Sequence, residues 1–203
     1  MMNKTWIRAL VLTSLAYLPI AASAGNPEAG AQKALVCGAC HGMDGNSINP
    51  EWPNLAGQHE SYIVRQLQLF KQGIRNNVIM MQNAMRLTDE DMADLAAYFS
   101  RQTPAGLEAD PSNVELGQRL YRAGDPARGL PACIACHGPQ GKGNGPARYP
   151  ALRAQHSLYT YNQLRAYASG ERVPDGNDMM QTIAARMTDE EKRAVASYLQ
   201  GLR

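Results

Sequence analysis

The amino-acid sequence predicts an all-α protein made of two tandem helical domains. Apolar residues recur at helical spacing in several segments, and no segment shows the sustained polar–apolar alternation of a strand bounded by turns. The third observation is a duplication: the offset between matched residues is 96 for Cys37 and Cys133, and 100 for Thr88 and Thr188. Because the offset drifts by only four residues, a whole folding unit is repeated with small loop insertions.

The N-terminal segment is typical of a cleavable export signal. Lys4 and Arg8 give it a basic start, and an apolar stretch follows over residues 9–22. This stretch of 14 residues is short of the roughly 20 that a membrane-spanning helix needs, so a retained anchor is the weaker alternative. Ala22-Ser23-Ala24 fits the small-X-small cleavage rule. We therefore predict a signal peptide over residues 1–24 and a mature chain outside the cytoplasm.

The mature sequence is predicted to form two domains joined by a short linker. Residues 25–103 form the first domain, residues 104–112 the linker and residues 113–203 the second domain. The linker contains prolines and a glycine and lacks apolar periodicity, which is typical of a connecting segment. Three helices are expected in each domain from apolar spacing and from cap residues such as Thr88. The predicted helices span residues 27–36, 60–72, 88–99, 113–122, 157–169 and 188–202.

The pentapeptide Cys-X-X-Cys-His occurs once in each domain, and its four cysteines are the only ones in the chain. Two thiols on one turn of helix can each add to a vinyl group of one haem, and the following histidine then reaches the iron. A redox dithiol, a four-thiolate zinc site or two local disulfides would leave the paired histidines unexplained. We therefore predict two covalently bound haem c groups. The attachment cysteines are Cys37, Cys40, Cys133 and Cys136, and the proximal iron ligands are His41 and His137.

The residue at the sixth position of each iron decides whether the haem carries electrons or binds a substrate. Methionine is the leading candidate, because the repeat matches Met80 with Met180 at the same distance before a Thr-Asp-Glu segment. We place both methionines in irregular stretches between two helices, where a thioether can reach the distal face of the haem. The neighbours Met81 and Met179 do not match each other in the repeat and remain the alternatives.

Two matched histidines and two matched prolines complete the candidate site residues. His59 and His156 each begin a predicted helix, either as solvated or capping residues or as sixth ligands of bis-histidine haems with lower potential. Pro53 and Pro150 lie 12 and 13 residues after the motif histidines. A carbonyl in that loop could accept the proton on histidine Nδ1, which would fix the tautomer and strengthen the bond to iron. A simple turn proline is the alternative.

Together these features resemble the dihaem cytochrome c4 family. The resemblance covers essentially the whole mature chain, including the Pro-X-Leu-X-X-Gln turns and the ending Ser-Tyr-Leu-Gln-Gly-Leu. It implies haem domains packed closely enough for rapid electron exchange. It also implies a periplasmic carrier, sometimes loosely membrane-associated, between the quinol-oxidising side of a respiratory chain and a haem–copper terminal oxidase. By this likeness the first haem is held by Cys37, Cys40, His41 and Met80, and the second by Cys133, Cys136, His137 and Met180.

Charge is distributed unevenly between the two domains. Residues 25–103 carry 6 basic and 8 acidic side chains, whereas residues 113–203 carry 12 basic and 8 acidic. Such a dipole can orient encounters with redox partners, although ordinary surface solvation would give a similar count. The second domain also has nine extra residues before its attachment motif, so the two haem pockets should differ. No basic cluster with interleaved aromatic residues occurs, which argues against nucleic-acid binding.

These observations favour outer-sphere electron transfer by a protein that is not an enzyme. With both axial positions filled, neither iron binds a small-molecule substrate, and the partners are redox proteins. A dihaem enzyme such as a peroxidase is the first alternative, and it requires one haem to be open. The second alternative is a haem-bearing subunit that docks onto a larger dehydrogenase.

Overall fold

A computed structural model describes residues 25–173 and 176–203 of the chain. The predicted signal peptide, residues 1–24, lies outside the described residues. Within these two ranges no helix combines the length and the apolar character that crossing a membrane requires. The same ranges contain helices and two isolated β-bridges but no strand, so the predicted all-α fold class is confirmed.

Each domain is a small helical bundle, and the second has one α-helix more than the first because its attachment motif forms a separate short helix. The first domain contains α1 (Pro27–His41), α2 (Glu60–Lys71), α3 (Val78–Ala84) and α4 (Asp89–Ser100). The second domain contains α5 (Val114–Ala123), α6 (Ile134–His137), α7 (Ser157–Ser169), α8 (Met179–Ala185) and α9 (Asp189–Gly201). The longer helices agree with the sequence prediction, but α1 continues through the whole attachment motif.

One expectation about the methionine segments was wrong. Met80 and Met180 do not lie in irregular stretches, because each belongs to a helix of seven residues, α3 or α8. Asn77 caps the first of these helices by accepting a hydrogen bond from the backbone N–H of Met80 at 3.0 Å. A helix of two turns carries too few apolar positions for periodicity to reveal it. Both methionines therefore lie on regular helical backbone rather than in a loop, and only the first of the two helices has a side-chain cap.

The first and last helices of each domain cross in close contact through a glycine. Gly30 of α1 lies against the backbone of Asp94 in α4, and Gly117 of α5 lies against the backbone of Ala194 in α9. Apolar side chains surround each crossing, among them Phe99 in the first domain and Tyr121 in the second, both buried. This crossing fixes the helix that carries the first attachment motif against the last helix of its domain.

The last helix of each domain is held by a different ion pair. In the first, Lys33 of α1 lies 2.7 Å from Asp91 and 2.6 Å from Asp94 of α4. The hydrogen bond from Lys33 lowers the pKa of Asp91 to about 2, so this ion pair weakens only as pH falls from the ordinary carboxyl range toward that value. In the second, Arg128 of the extra loop pairs with Glu191 of α9.

Capping boxes begin α4 and α9. The Thr188 hydroxyl accepts a hydrogen bond from the Glu191 N–H at 3.2 Å, and the Glu191 carboxylate accepts one from the Thr188 N–H at 2.8 Å. Replacing Thr188 by alanine is therefore expected to lower the free energy of unfolding by about 1 kcal/mol. Chemical denaturation of the holoprotein measures this loss. The matched control is Thr103→Ala, at an exposed position outside the helices, which should change stability by less than about 0.5 kcal/mol. Equal losses would contradict the capping role.

Candidate haem sites

The four motif cysteines face one cavity from two short helical segments. Cys37 and Cys40 lie in the last turns of α1, whereas Cys133 precedes α6 and Cys136 lies within it. All four are of intermediate exposure, none of them forms a disulfide, and all four line the cavity. Burial raises the pKa of the Cys133 thiol to about 11, so it is protonated at neutral pH. The thiol pair in each domain is thus held on one helical turn, as attachment to a single haem requires.

The motif histidines are buried and oriented by the prolines that the sequence indicated. His41 and His137 are each only 7% exposed. Nδ1 of His41 lies 2.8 Å from the carbonyl oxygen of Pro53, and Nδ1 of His137 lies 2.9 Å from that of Pro150. A carbonyl oxygen can only accept, so Nδ1 must be the protonated nitrogen in both rings. The predicted carbonyl contacts are confirmed, and the lone pair is left on Nε2.

Burial also sets the charge of these two imidazoles. Removal from water lowers the pKa of His41 and of His137, and it outweighs the opposite effect of the bond to the proline carbonyl. Both rings are therefore neutral near pH 7. A neutral imidazole with a hydrogen-bonded Nδ1 is the form that binds a metal ion through Nε2.

One continuous cavity of about 1700 Å³ joins the attachment segments of the two domains. Its walls are mostly apolar and include Leu67 and Phe70 in the first domain and Leu152 and Leu164 in the second. Thiols and an imidazole stand on one wall of each half, which matches the side-chain chemistry that a covalently attached haem needs. The residues present therefore fit two haem groups, one in each domain.

The predicted distal methionines both reach this cavity. Met80 of α3 and Met180 of α8 line it, and Met180 also packs against the apolar core of the second domain. Met179 lines the cavity too and is 38% exposed. The terminal methyl of Met81 lies beside Gly73, at the end of α2. These positions favour Met80 over Met81 as the ligand in the first domain. In the second domain both Met180 and Met179 line the cavity, so Met179 remains the alternative ligand.

His59 and His156 bridge the two domains instead. Nε2 of His59 lies 2.7 Å from the carbonyl oxygen of Lys142, and Nε2 of His156 lies 2.8 Å from that of Ser47. Neither side chain caps its helix, and His156 is buried, so a capping or solvated role does not describe it. With one ring nitrogen already bonded across the interface, these histidines are poorly placed to bind iron.

Matched residues of the repeat form most of this interface. The Gln58 side chain donates to the carbonyl of Ala151 at 3.0 Å and accepts from its N–H at 2.9 Å. Gln155 makes the equivalent pair of bonds with Asn54, at 3.0 and 2.8 Å. The domains are thus related by an approximate twofold axis. The family resemblance implied that the two domains pack closely, but sequence reasoning did not identify these interface residues. The shared Gln-His pairs were the signal that could have revealed them.

Two helical domains, each with paired thiols, a buried neutral imidazole and a methionine on one cavity, define a c-type cytochrome with two haem sites. The cytochrome c family model matches residues 28–102 and 114–203. Cytochrome c4 of Azotobacter vinelandii is 44% identical over 211 residues, which cover 99% of this chain and 100% of that protein. The crystal structure of reduced recombinant cytochrome c4 from Pseudomonas stutzeri has a TM-score of 0.86 and 43% identity, covering 89% of this chain and 100% of that one.

A relative with a different name also matches. A thiosulfate dehydrogenase electron acceptor from Thiomonas intermedia is 40% identical and covers 89% of this chain and 82% of that protein. The chain belongs to the cytochrome c family and, within it, to the dihaem cytochromes c4. It carries two covalently bound haem c groups and acts as an electron carrier.

Proposed function

We propose that this cytochrome is a periplasmic carrier that takes electrons from the quinol-oxidising side of a respiratory chain and delivers them to a terminal oxidase. The observation that carries this proposal is the pair of haem sites, each with a histidine and a methionine that line the same cavity. A carrier of this kind meets redox proteins and binds no small-molecule substrate. Peripheral contact with the membrane would bring it to both partners.

The proposed axial ligands are one histidine and one methionine in each domain. Haem supplies one-electron exchange between ferrous and ferric iron, and methionine ligation raises its potential. The carbonyls of Pro53 and Pro150 hold the histidine rings in the tautomer that leaves Nε2 for iron. A high potential suits delivery to a strong oxidant, whereas the peroxidase alternative requires an open position at one iron. The proposed ligand pairs are His41 with Met80 and His137 with Met180.

Reconstitution with native membranes tests the direction of electron flow. Washed membranes of the native organism would be supplied with quinol, and oxygen uptake would be followed before and after addition of the holoprotein. The proposal expects restored uptake, with reduction of both haems by the quinol-oxidising complex and oxidation by the oxidase. Oxidation without reduction by the quinol-oxidising side would overturn the proposed donor.

The two cavity mouths carry opposite charges at one matched position. Glu51 in the first domain corresponds to Arg148 in the second at an offset of 97, and both are exposed and line the cavity. Arg148 has a positive φ of 58°, an uncommon conformation for a residue other than glycine. Exposed Arg165 and Arg186 also line the second mouth, together with Glu171 and Asp178. Different charges near the two mouths would favour different partner surfaces.

Salt-dependent kinetics with an anionic oxidant should report this difference. Arg148→Glu is expected to slow oxidation of the reduced protein by ferricyanide roughly tenfold at low ionic strength, because a repulsive charge replaces an attractive one at the mouth. Stopped-flow measurements at low and high salt would show the effect fade as salt is added. Arg119→Glu is the matched control, because Arg119 is an exposed residue of α5 outside the cavity lining. Equal slowing in both variants would assign the effect to net charge alone.

A dedicated acceptor for a dehydrogenase is the second candidate function. It is favoured by the similarity to a thiosulfate dehydrogenase electron acceptor. Thiosulfate and a thiosulfate dehydrogenase, mixed with the oxidised cytochrome, separate the two candidates. Rapid reduction there, without reduction by the quinol-oxidising complex, would establish the second candidate and exclude the first.

A further inference from the structure

A lysine ammonium contacts the same backbone position after the methionine helix of each domain. Nζ of Lys71 donates to the carbonyl oxygen of Leu87 at 2.5 Å, and Nζ of Lys192 donates to that of Met187 at 2.5 Å. Leu87 and Met187 match each other in the repeat at an offset of 100. Each follows α3 or α8 and immediately precedes the threonine that caps the last helix of its domain. The contact therefore lies at the junction between the methionine helix and that last helix.

The two lysines do not correspond to each other in the repeat. Lys71 is the last residue of α2, and the matched residue of the second domain is Ala168. Lys192 lies in the first turn of α9, and the matched residue of the first domain is Met92. Duplication of a contact does not by itself produce this arrangement, because the donor comes from a different helix in each domain. The shared feature is an ammonium at one carbonyl, which indicates that the contact itself has a role.

The carbonyl at this junction lies just before the hydrogen bonds of the last helix begin. The N–H of Met92 donates to the carbonyl of Thr88, and the N–H of Lys192 donates to that of Thr188, both at 3.1 Å. The carbonyl one residue earlier needs another donor, and the lysine supplies it. A hydrogen bond from a charged donor is stronger than one between neutral groups. The ammonium therefore fixes the backbone close to the end of the methionine helix.

This junction is held more firmly in the second domain than in the first. Lys192 is buried, with 8% exposure, whereas Lys71 is exposed, so water competes more for the ammonium of Lys71. Met187 belongs to the apolar core against which Met180 packs. Arg186 also donates to a backbone carbonyl of the extra loop before the second attachment motif, and the first domain lacks these extra residues.

We propose that Lys71 and Lys192 are positioning residues for the distal methionines, and that the looser junction of the first domain makes its haem the one that more readily exchanges methionine for an outside ligand. This inference rests on the histidine–methionine ligation of the proposed function but on no redox partner. In the exchange the thioether sulfur leaves ferric iron and a nitrogen of the incoming ligand donates its electron pair instead, with no change of oxidation state. Each lysine slows the exchange by holding the methionine helix where the sulfur can rebind.

Imidazole binding to the ferric holoprotein tests this role. Stopped-flow measurement of the methionine–iron charge-transfer absorption should show two phases as imidazole displaces each methionine. Met80→Ala and Met180→Ala, each lacking one phase, assign the phases to the two haems. In the unaltered protein the phase of the first haem should be the faster one. The reverse order would overturn the inference.

Removing one ammonium should speed the exchange only in the domain that loses it. Lys192→Met keeps an unbranched apolar stem but removes the donor, so the second haem should bind imidazole about tenfold faster. Lys71→Met should accelerate the first haem about threefold, because its contact is exposed to water. This exposed position also keeps the test decisive if Lys192→Met fails to fold. Lys71→Arg keeps a charged donor and should retain a rate close to the original one.

Controls separate positioning from net charge and from stability. Lys142→Met removes one ammonium from an exposed position outside the helices and the cavity lining. Equal acceleration in this variant, or of both haems at once, would assign the effect to net charge and overturn the inference. A lower unfolding midpoint in the Lys71 and Lys192 variants, with unchanged exchange rates, would leave these lysines a purely structural role.

The same spectra distinguish failure of this inference from failure of the proposed function. Absence of methionine–iron absorption in the unaltered protein would overturn the proposed axial ligands and the lysine role together. Normal absorption, with exchange rates that no lysine variant changes, would overturn the lysine role alone.

Discussion

Replacement of Met180 by alanine is expected to open the sixth coordination position of the second haem and to lower its potential. Met180 is half-buried, lines the cavity and packs against the core of its domain, so alanine at this position would remove the proposed thioether ligand. Axial ligands set haem potentials across about 0.8 V, so the loss of a thioether should cost on the order of 0.1 V or more. Met80→Ala should have the same effect on the first haem.

Three observations on the holoprotein would measure this change. The methionine–iron charge-transfer absorption of the altered haem should disappear, the haem should bind carbon monoxide when reduced, and its potential should fall in a titration that resolves both haems. The other haem should keep its spectrum, because its own ligands are unchanged. A spectrum unaffected by both alanine variants would exclude these two methionines as ligands.

Neighbouring methionines provide the matched controls. Met81→Leu and Met179→Leu keep an apolar side chain of similar volume at the adjacent positions of α3 and α8. Both variants should retain the charge-transfer absorption and both potentials. Met179 lines the cavity, so Met179→Leu is the more stringent of the two controls. Loss of methionine ligation in Met179→Leu, with none in Met180→Ala, would move the proposed ligand by one residue.

Much of the fold could be predicted from the sequence because most motifs and helix patterns occur in both halves of the repeat. The long helices α2 and α9 both show apolar periodicity, and α9 also has the Thr188 cap, so their positions were predicted within a few residues. The carbonyl contacts of Pro53 and Pro150 were also predictable, since a proline at nearly the same distance follows each motif histidine. Residue types at a fixed spacing along the chain are the features that a single sequence shows most directly.

Features that depend on contacts between domains were beyond this reasoning. His59 and His156 share a position in the repeat, and that match alone cannot distinguish a ligand from an interface residue. The same limit applied to Arg172, which is buried and donates a hydrogen bond to the hydroxyl of Tyr62 in the other domain. The short helices α3 and α8 were missed because two turns give no period to measure. In each case the deciding information lies in residues far away in the chain.

Alanine at Gly30 or Gly117 is expected to destabilise the corresponding domain strongly. A Cβ at Gly30 would lie 2.0 Å from the carbonyl oxygen of Asp94, and one at Gly117 would lie 2.2 Å from that of Ala194. The obstacle is backbone, so the crossing helices must move apart. Alanine would otherwise favour a helix by about 1 kcal/mol, but forcing volume into a packed contact costs 1–3 kcal/mol or more. We therefore expect a loss of roughly 3 kcal/mol in the free energy of unfolding.

The consequence of this change should extend to the haem site because α1 carries the first attachment motif and α4 forms the opposite side of the same crossing. Denaturation of Gly30→Ala holoprotein, followed separately by the absorption of each haem, should show the first domain unfolding earlier while the second keeps its midpoint. Gln32→Ala, at an exposed position of α1, should leave both transitions in place. Unchanged stability in Gly30→Ala would mean that the helices can separate at no cost, and that the glycine is not what sets their distance.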